Sequence, residues 1–576
     1  MFYSNNLIYF DHLMSQSEKI LEVKNLSVRF LHEGQWVNAV NDLSFSLFKG
    51  ETLGLVGESG SGKSVTSMVL MRLFEPSPNV DIKGEAYFYS KIGTIDLLNC
   101  YKSKLNDIRG NQMAMIFQEP MTALNPTTTC GSQVAEALLI HQKISRKEAK
   151  EQTIELFKQV ELPEPDSMFK RYPHQLSGGQ KQRVMIAMAM SCRPLLLIAD
   201  EPTTALDVTV QKKILKLLNE LQQNYDMGLL FITHDLGVIA EIADRVLVLF
   251  NGDLVEEGSV DEIFNNPQNP YTKGLLACRP SLDKFELRLP TVEDYLLGRE
   301  VEVGERTPLT KTEEDEKIIS VNGLKTWFAS KKNIFGKTLE YDKAVDDVTL
   351  NVYKGETLGL VGESGCGKTT LGRTILRLID PIDGEVLYDG HELLNIDSGQ
   401  LKSFRKKMQI IFQDPTSSLN PRMRIGKAIE EVMIVQKIAT NKFDARKRTL
   451  ALLNKVSLDK SFYNRYPHEL SGGQKQRVCI ARALAVEPEF IVCDESVSAL
   501  DVSIQAHVLN LLNELKEEFG FTYIFISHDL SVVKHMSDRI VIMRDGKIVE
   551  SGDPKTIFEN PKSNYTKTFI DAIPGN

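Results

Sequence analysis

The chain has 576 residues, 42% of them hydrophobic, and a formal charge of −9. That length exceeds one ordinary domain, and the acidic balance opposes a sequence-independent grip on nucleic acid, which needs a basic stripe. Cysteines stand at 100, 130, 192, 278, 366, 479 and 493 with no C-x-x-C pair, a spacing that predicts free thiols and argues against a zinc or iron–sulfur site.

No apolar run reaches the roughly 20 residues that a bilayer-spanning helix needs. Residues 1–18 read as a leader. Its apolar stretch, Leu7 to Phe10, has neither the basic flank nor the length of a secretory signal, and Met14 is an alternative start. Alternating stretches follow, Leu21-Glu22-Val23 and Leu43 to Leu47, and they predict an antiparallel sheet.

The apolar strand Thr52 to Val56 then runs into Gly57-Glu58-Ser59-Gly60-Ser61-Gly62-Lys63-Ser64, ahead of a helical stretch from Val65. This is G-x-x-x-x-G-K-[ST] in the strand-to-helix setting that the motif requires. Gly57, Gly60 and Gly62 let backbone N–H groups close around phosphates at a helix N-terminus. Lys63 is placed to reach the β- and γ-phosphates of ATP, and Ser64 to ligate Mg²⁺. The loop recurs as Gly362 to Thr369, where Gly362, Gly365, Gly367, Lys368 and Thr369 take the same roles. A chance glycine turn explains one such match; two in register leave chance little room.

The recurrence is a duplication of the whole chain. GETLGLVGESGSGK (50–63) and GETLGLVGESGCGK (355–368) differ at one position, as do RYPHQLSGGQKQRV (171–184) and RYPHELSGGQKQRV (465–478). Lys63 precedes Gln118 by 55 positions but Lys368 precedes Gln413 by 45; the extra residues near Asn79 to Leu105 read as a surface loop or enlarged hairpin.

Next come two apolar strands ending in carboxylates, Leu195 to Ala199 before Asp200-Glu201 and Phe490 to Cys493 before Asp494-Glu495. Ligands of parallel sheets sit at strand carboxyl ends. Asp200 and Asp494 are the metal carboxylates on this reading, and Glu201 and Glu495 the general bases for the attacking water. A lone Asp-Glu is commonly just a charged turn. Here each pair lies 23 positions beyond a Ser-Gly-Gly segment, and each glutamate lies 33 positions before a histidine, His234 or His528, that follows another apolar strand, where it can contact the γ-phosphate and sense whether it is present. Helical periodicity marks Lys212 to Tyr225 and Ala506 to Phe519. The expected class is therefore α/β with a parallel-sheet core. Residues 281–317, with Pro290, Pro308 and Glu313 to Glu316, read as an acidic tether, with a structured segment around Leu287 to Leu297 as the alternative.

With Leu176-Ser177-Gly178-Gly179-Gln180 and Leu470-Ser471-Gly472-Gly473-Gln474 added, both halves resemble the ATP-binding cassette superfamily along nearly their full length. The resemblance implies two tandem P-loop cassettes, 19–280 and 318–576, each with a parallel-sheet core, an antiparallel β subdomain and a helical subdomain. It implies that Ser177, Gly179, Ser471 and Gly473 belong to signature motifs, each completing the ATP site of the opposite cassette in an intramolecular head-to-tail dimer. Gln118 and Gln413 would link the metal to a membrane partner, and Ala205-Leu206-Asp207 and Ala499-Leu500-Asp501 would cross the dimer interface. Phe30 and Phe328 are the candidates to stack on adenine. Both sets are complete, so two hydrolytic sites are expected.

Within the superfamily, Phe117 to Pro126, Phe412 to Pro421 and the Arg-Tyr-Pro-His segments resemble the ATPases of dipeptide and oligopeptide importers, fused here as in importers of glutathione and microcin C. The resemblance implies a peripheral ATPase on the cytoplasmic face of the inner membrane, two permease subunits and an extracytoplasmic solute-binding protein. The family's Asn-Pro-x-His-Pro-Tyr-Thr segment appears as Asn266 to Thr272 without the histidine, and as Asn560 to Thr566 without the histidine and second proline. Ser496 replaces the proline usual after the catalytic glutamate. The rival reading, a soluble twin-cassette ATPase on ribosomes or nucleic acid, usually needs a long helical arm or zinc cysteine pairs. Nothing in the sequence names the solute.

Overall fold

The structure is a computed structural model that describes residues 18–573 apart from 33, 205, 283, 302, 333–337 and 499. The leader through residue 17, the alternative start Met14, and the loop alanines Ala205 and Ala499 lie outside the described residues. The chain separates into two compact units, one built from residues up to Leu206 with Val210–Leu276, the other from Asp207–Thr209 and Ala277 onward.

In the first unit, β1 (Lys19–His32) and β2 (Gln35–Phe48) pair antiparallel, and β1 pairs on its other edge with β4 (Val80–Ser90), which hairpins into β5 (Gly93–Asp96). The alternating inward residues Leu21, Val23, Val28, Leu43, Phe45 and Leu47 form one side of the core. The second sheet has the order β10-β9-β3-β8-β7-β6. Its strands β3 (Thr52–Val56), β6 (Met113–Ile116), β7 (Leu196–Asp200), β8 (Gly228–Thr233) and β9 (Arg245–Phe250) run parallel, and β10 (Asp253–Ser259) closes the edge antiparallel. β3, β7 and β8 are buried at every position, as strands covered on both faces must be, which is why they read as unbroken apolar runs. The helices Cys130–Gln142 and Arg146–Gln159 pack on each other as a helical layer.

The second unit repeats the plan. β11 (Lys317–Lys332), β12 (Thr338–Tyr353), β14 (Asp383–Tyr388) and β15 (His391–Glu392) make the antiparallel sheet. β16 (Met408–Ile411), β17 (Phe490–Asp494), β18 (Thr522–Ile526), β13 (Thr357–Val361) and β19 (Arg539–Arg544) run parallel, with β20 (Lys547–Gly552) antiparallel at the edge. The extra length of the first copy is an enlarged hairpin: β4 has 11 residues where β14 has 6.

The acidic segment after Ala277 is ordered on the second unit. The helix Val292–Leu296 starts with a Thr291–Asp294 capping box. Leu289 is fully buried, and its backbone N–H and carbonyl both pair with the Asn510 amide, at 2.9 and 2.8 Å. Arg306 reaches Asp538, which also takes Lys516 at 2.7 Å. Among the described residues, no helix is long and apolar enough to cross a membrane.

Candidate active sites

Each phosphate loop joins a buried strand to a helix, β3 to Lys63–Leu70 and β13 to Lys368–Ile375. The glycine before each lysine has φ near +100° (Gly62 99°, Gly367 105°), and a Cβ there would lie 2.3 and 1.9 Å from the carbonyl oxygens of Ala39 and Ala344. Only glycine fits. Gly57, Gly60, Gly362 and Gly365 also have positive φ. Lys63 Nζ donates to the carbonyls of Gly57 and Glu58, both at 2.7 Å, and Lys368 Nζ to those of Gly362 and Glu363, at 2.7 and 3.0 Å. Both ammonium groups are thereby aimed across their own loops.

The strand-end carboxylates meet these loops. Ser64 Oγ donates to Asp200 Oδ1 at 3.0 Å, and Thr369 Oγ1 to Asp494 Oδ1 at 2.7 Å. Asp200 and Asp494 are buried, and that burial pushes both carboxyls above the usual range despite the hydroxyl bonds. An anion held in that way suits a hard divalent cation. Among the described residues no three His, Cys, Asp or Glu side chains cluster to hold a metal, so a cation here has one carboxylate, a loop hydroxyl and other oxygens. That donor set fits Mg²⁺, which keeps waters and substrate phosphates in its shell.

Glu201 and Glu495 follow directly and are both left-handed, with φ of 47° and 46°, a conformation that costs a non-glycine residue energy and concentrates at functional sites. Gln118 Nε2 donates to Glu201 Oε2 at 2.9 Å, and Gln413 Nε2 to Glu495 Oε2 at 2.6 Å. His234 Nδ1 lies 3.2 Å from Glu201 Oε1, and His528 Nδ1 3.8 Å from Glu495 Oε2. Burial raises both glutamates. The neighbouring histidine, with smaller contributions from other groups, outweighs it, holding Glu201 down to about 2 and Glu495 below its ordinary value. Glu201 is bonded to both its histidine and its glutamine, whereas Glu495 is bonded to its glutamine and has its histidine at ion-pair distance only; an ionised carboxylate held in this way suits a group that orients water.

The copies differ in detail. Thr204 Oγ1 donates to Glu201 Oε2 at 2.9 Å, whereas Ser498 Oγ, its counterpart, bonds the Glu495 backbone carbonyl at 2.9 Å.

The Ser-Gly-Gly-Gln turns open the helices Gly178–Met190 and Gly472–Leu484 with capping boxes: Ser177 accepts from the Gln180 N–H and Ser471 from the Gln474 N–H. A Cβ at Gly473 would lie 2.3 Å from Ile504 Cγ2, and at Gly179 2.7 Å from Val210 Cγ1, so these glycines also let a neighbouring helix approach. Phe30 is half-buried with its edge on Phe74, ring centroids 5.4 Å apart. Phe328 is 43% exposed on β11.

Two residues that sequence reasoning left without a role join the loops. Tyr271 Oη accepts from the Glu58 N–H at 3.0 Å, and Tyr565 Oη from the Glu363 N–H at 3.3 Å. The Tyr-Thr pair kept in both copies, Tyr271-Thr272 and Tyr565-Thr566, was the available signal. Asn269 and Ser563, which stand where the histidine was expected, accept from the backbone N–H of Tyr271 and Tyr565 at 2.8 and 3.1 Å and so fix the start of each terminal helix.

The pattern described as ABC transporter matches residues 40–204 and 345–498, and the one described as Oligopeptide/dipeptide transporter, C-terminal region, matches 255–297 and 549–576. The chain is 46% identical to the glutathione import ATP-binding protein GsiA of Pectobacterium atrosepticum, covering 98% of this chain and 90% of the relative. It is 47% identical to the protein of that name from Escherichia coli strain K12, covering 96% and 89%. A solved dimeric ATP-binding cassette bound to ADP and Pi is 32% identical over 41% of this chain and 98% of its own, with a TM-score of 0.38. The chain thus belongs to the ATP-binding, ATP-hydrolysing proteins of the ABC transporter family, with two cassettes and the oligopeptide/dipeptide transporter C-terminal region after each.

Proposed function

We propose that the chain is the energy-coupling subunit of an importer of peptides or peptide-like solutes, glutathione among them, acting through two separate permease subunits and a solute-binding protein. The cassettes are taken as 19–280 and 318–576 with 281–317 between them, and the place of action as the cytoplasmic face of the membrane. The observation that carries the reading is the pair of glutamates, Glu201 and Glu495, each left-handed, ionised and held by its own glutamine and histidine.

In this reading the loop amides and Lys63 or Lys368 bind the phosphates of ATP. Ser64 with Asp200, and Thr369 with Asp494, would hold Mg²⁺, with Gln118 or Gln413 presenting its amide oxygen. The cation supplies positive charge for the phosphate oxygens. Glu201 and Glu495 orient water and accept its proton, and His234 and His528 hold those carboxylates in place. Phe30 and Phe328 take adenine. Ser177, Gly179, Ser471 and Gly473 carry the signature role that the resemblance implies. Gln118 and Gln413 each bond the carboxylate of one glutamate and stand in the chain between a core strand and the helices that follow, which suits them to report the state of the site to a membrane partner.

The test is uptake of labelled glutathione and dipeptides in cells lacking the chain, complemented with the wild type, Glu201→Gln or Glu495→Gln. Restored uptake with the wild type, and its loss with retained ATP binding in either variant, supports the reading. Wild-type restoration of no peptide uptake, or co-purification with ribosomes and no permease, overturns it.

A further inference from the structure

The two metal carboxylates are not held alike. In the first copy, among the described residues, Asp200 is hydrogen-bonded by side-chain hydroxyls, Ser64 at Oδ1 (3.0 Å) and Ser67 at Oδ2 (3.3 Å), with the Lys63 charge also acting on it. In the second copy Gly372 stands in place of Ser67, and the next residue, Arg373, donates through Nη2 to Asp494 Oδ2 at 3.3 Å while Thr369 holds Oδ1 at 2.7 Å. The first copy has Met68 where the second has Arg373. The Asp494 side chain is 1% exposed and the Arg373 side chain 38% exposed, so the carboxylate end of this ion pair is shielded from water while solvent screens the guanidinium in part. Arg373 Nε is buried without a hydrogen-bond partner, so the guanidinium is not fully spent on the fold. A counter-charge is therefore built into the second site and replaced by a hydroxyl in the first.

We propose that Arg373 makes the second site bind divalent cations more weakly than the first, and makes nucleotide binding there less dependent on metal. A cation approaching Asp494 shares the carboxylate with the guanidinium and is repelled by it. Metal-free nucleotide phosphates find positive charge already beside the loop. At Asp200 no guanidinium stands in, so the metal supplies that charge. This rests on the reading of Asp200 and Asp494 as metal carboxylates, and Arg373 acts through Asp494 as a positioning residue.

The test uses the full chain with one loop silenced, Lys63→Ala to leave the second site and Lys368→Ala to leave the first. Mn²⁺ affinity is read by electron paramagnetic resonance with ADP present, and nucleotide affinity by a fluorescent ADP analogue in EDTA. The Lys63→Ala chain should bind Mn²⁺ about tenfold more weakly than the Lys368→Ala chain. Adding Arg373→Met to Lys63→Ala should tighten Mn²⁺ and weaken metal-free nucleotide; Arg373→Lys should stay close to arginine. Opposite movements of the two affinities do not arise from misfolding. Equal Mn²⁺ affinity at the two sites, or no change with Arg373→Met, overturns the proposal. If Asp494→Asn weakens Mn²⁺ while Arg373→Met does nothing, the proposal alone fails. If Asp494→Asn also leaves Mn²⁺ unchanged, the metal-carboxylate reading fails with it.

Discussion

Tyr271 accepts a hydrogen bond at 3.0 Å from the backbone N–H of Glu58, the second residue of the first phosphate loop, although 213 positions separate them. Tyr565 repeats the contact on Glu363. The C-terminal region of each copy thereby fixes the loop that binds phosphate. Tyr271→Phe and Tyr565→Phe keep the ring packing and remove the acceptor. One such bond is worth about 0.5–1.5 kcal/mol, so each variant should weaken nucleotide binding at its own loop by roughly 2- to 10-fold in a fluorescent-nucleotide titration, with little change in melting temperature.

The unequal support of the two glutamates gives a second expectation. Thr204 donates to the Glu201 carboxylate itself, but Ser498 donates only to a backbone carbonyl. With the other copy inactivated at its glutamate, Thr204→Val should lower turnover by about 10- to 150-fold, the value of one charge-assisted hydrogen bond of about 1.5–3 kcal/mol. Ser498→Ala should lower it by less than twofold on the same reasoning. Steady-state phosphate release checks both.

Steric strain separates two glycines of one loop. At Gly367 a Cβ would lie 1.9 Å from the Ala344 carbonyl, whereas at Gly365, φ 81°, it would meet nothing within 4 Å. Gly365→Ala carries only the left-handed penalty, about 1–2 kcal/mol. Gly367→Ala adds a backbone clash that no rotamer relieves, so it should abolish nucleotide binding at that loop and lower the second unit's melting temperature further. Calorimetry of the two variants distinguishes them.

His535 carries the pH expectation. It is 4% exposed, and burial first, then the charge of Arg306, lowers its pKa from 6.5 to about 4. The unfolded chain binds this proton near pH 6.5 and the folded chain only near 4. Stability from this group is therefore full above pH 6.5 and is lost as pH falls toward 4, by roughly 3 kcal/mol at most. Unfolding midpoints between pH 7.5 and 4.5 should show the decline, and His535→Asn should flatten it.

The loops, the carboxylate pairs and the histidines were legible because duplication turned weak local patterns into paired ones, and β3, β7 and β8 because burial on both faces leaves mostly apolar residues, with polar ones at the strand ends. The role of Arg373 was not legible. It sits one helical turn beyond Thr369, and its reach to Asp494, 121 positions away, is a side-chain conformation rather than a spacing. The repeated Tyr-Thr pair marks the tyrosines, but their contacts were hidden, because their partners are backbone N–H groups, which have no sequence signature. In the acidic segment, charge density pointed to a tether. Yet Leu289 and Val292 are buried there, and Thr291 and Asp294 cap a helix, so a few apolar anchors decide its structure against the composition of their neighbours.

That ordering of the segment has a consequence for where the chain can be divided. A second half trimmed to Lys317 would lose Arg306, leaving Asp538, 1% exposed, with Lys516 as its remaining ion-pair partner. It would also strip both backbone partners from the Asn510 amide. An autonomous second half must begin near Ala277. The seam that fission, proteolysis or module exchange can use thus lies at the end of the first terminal helix, about forty residues before the point at which the repeat itself resumes.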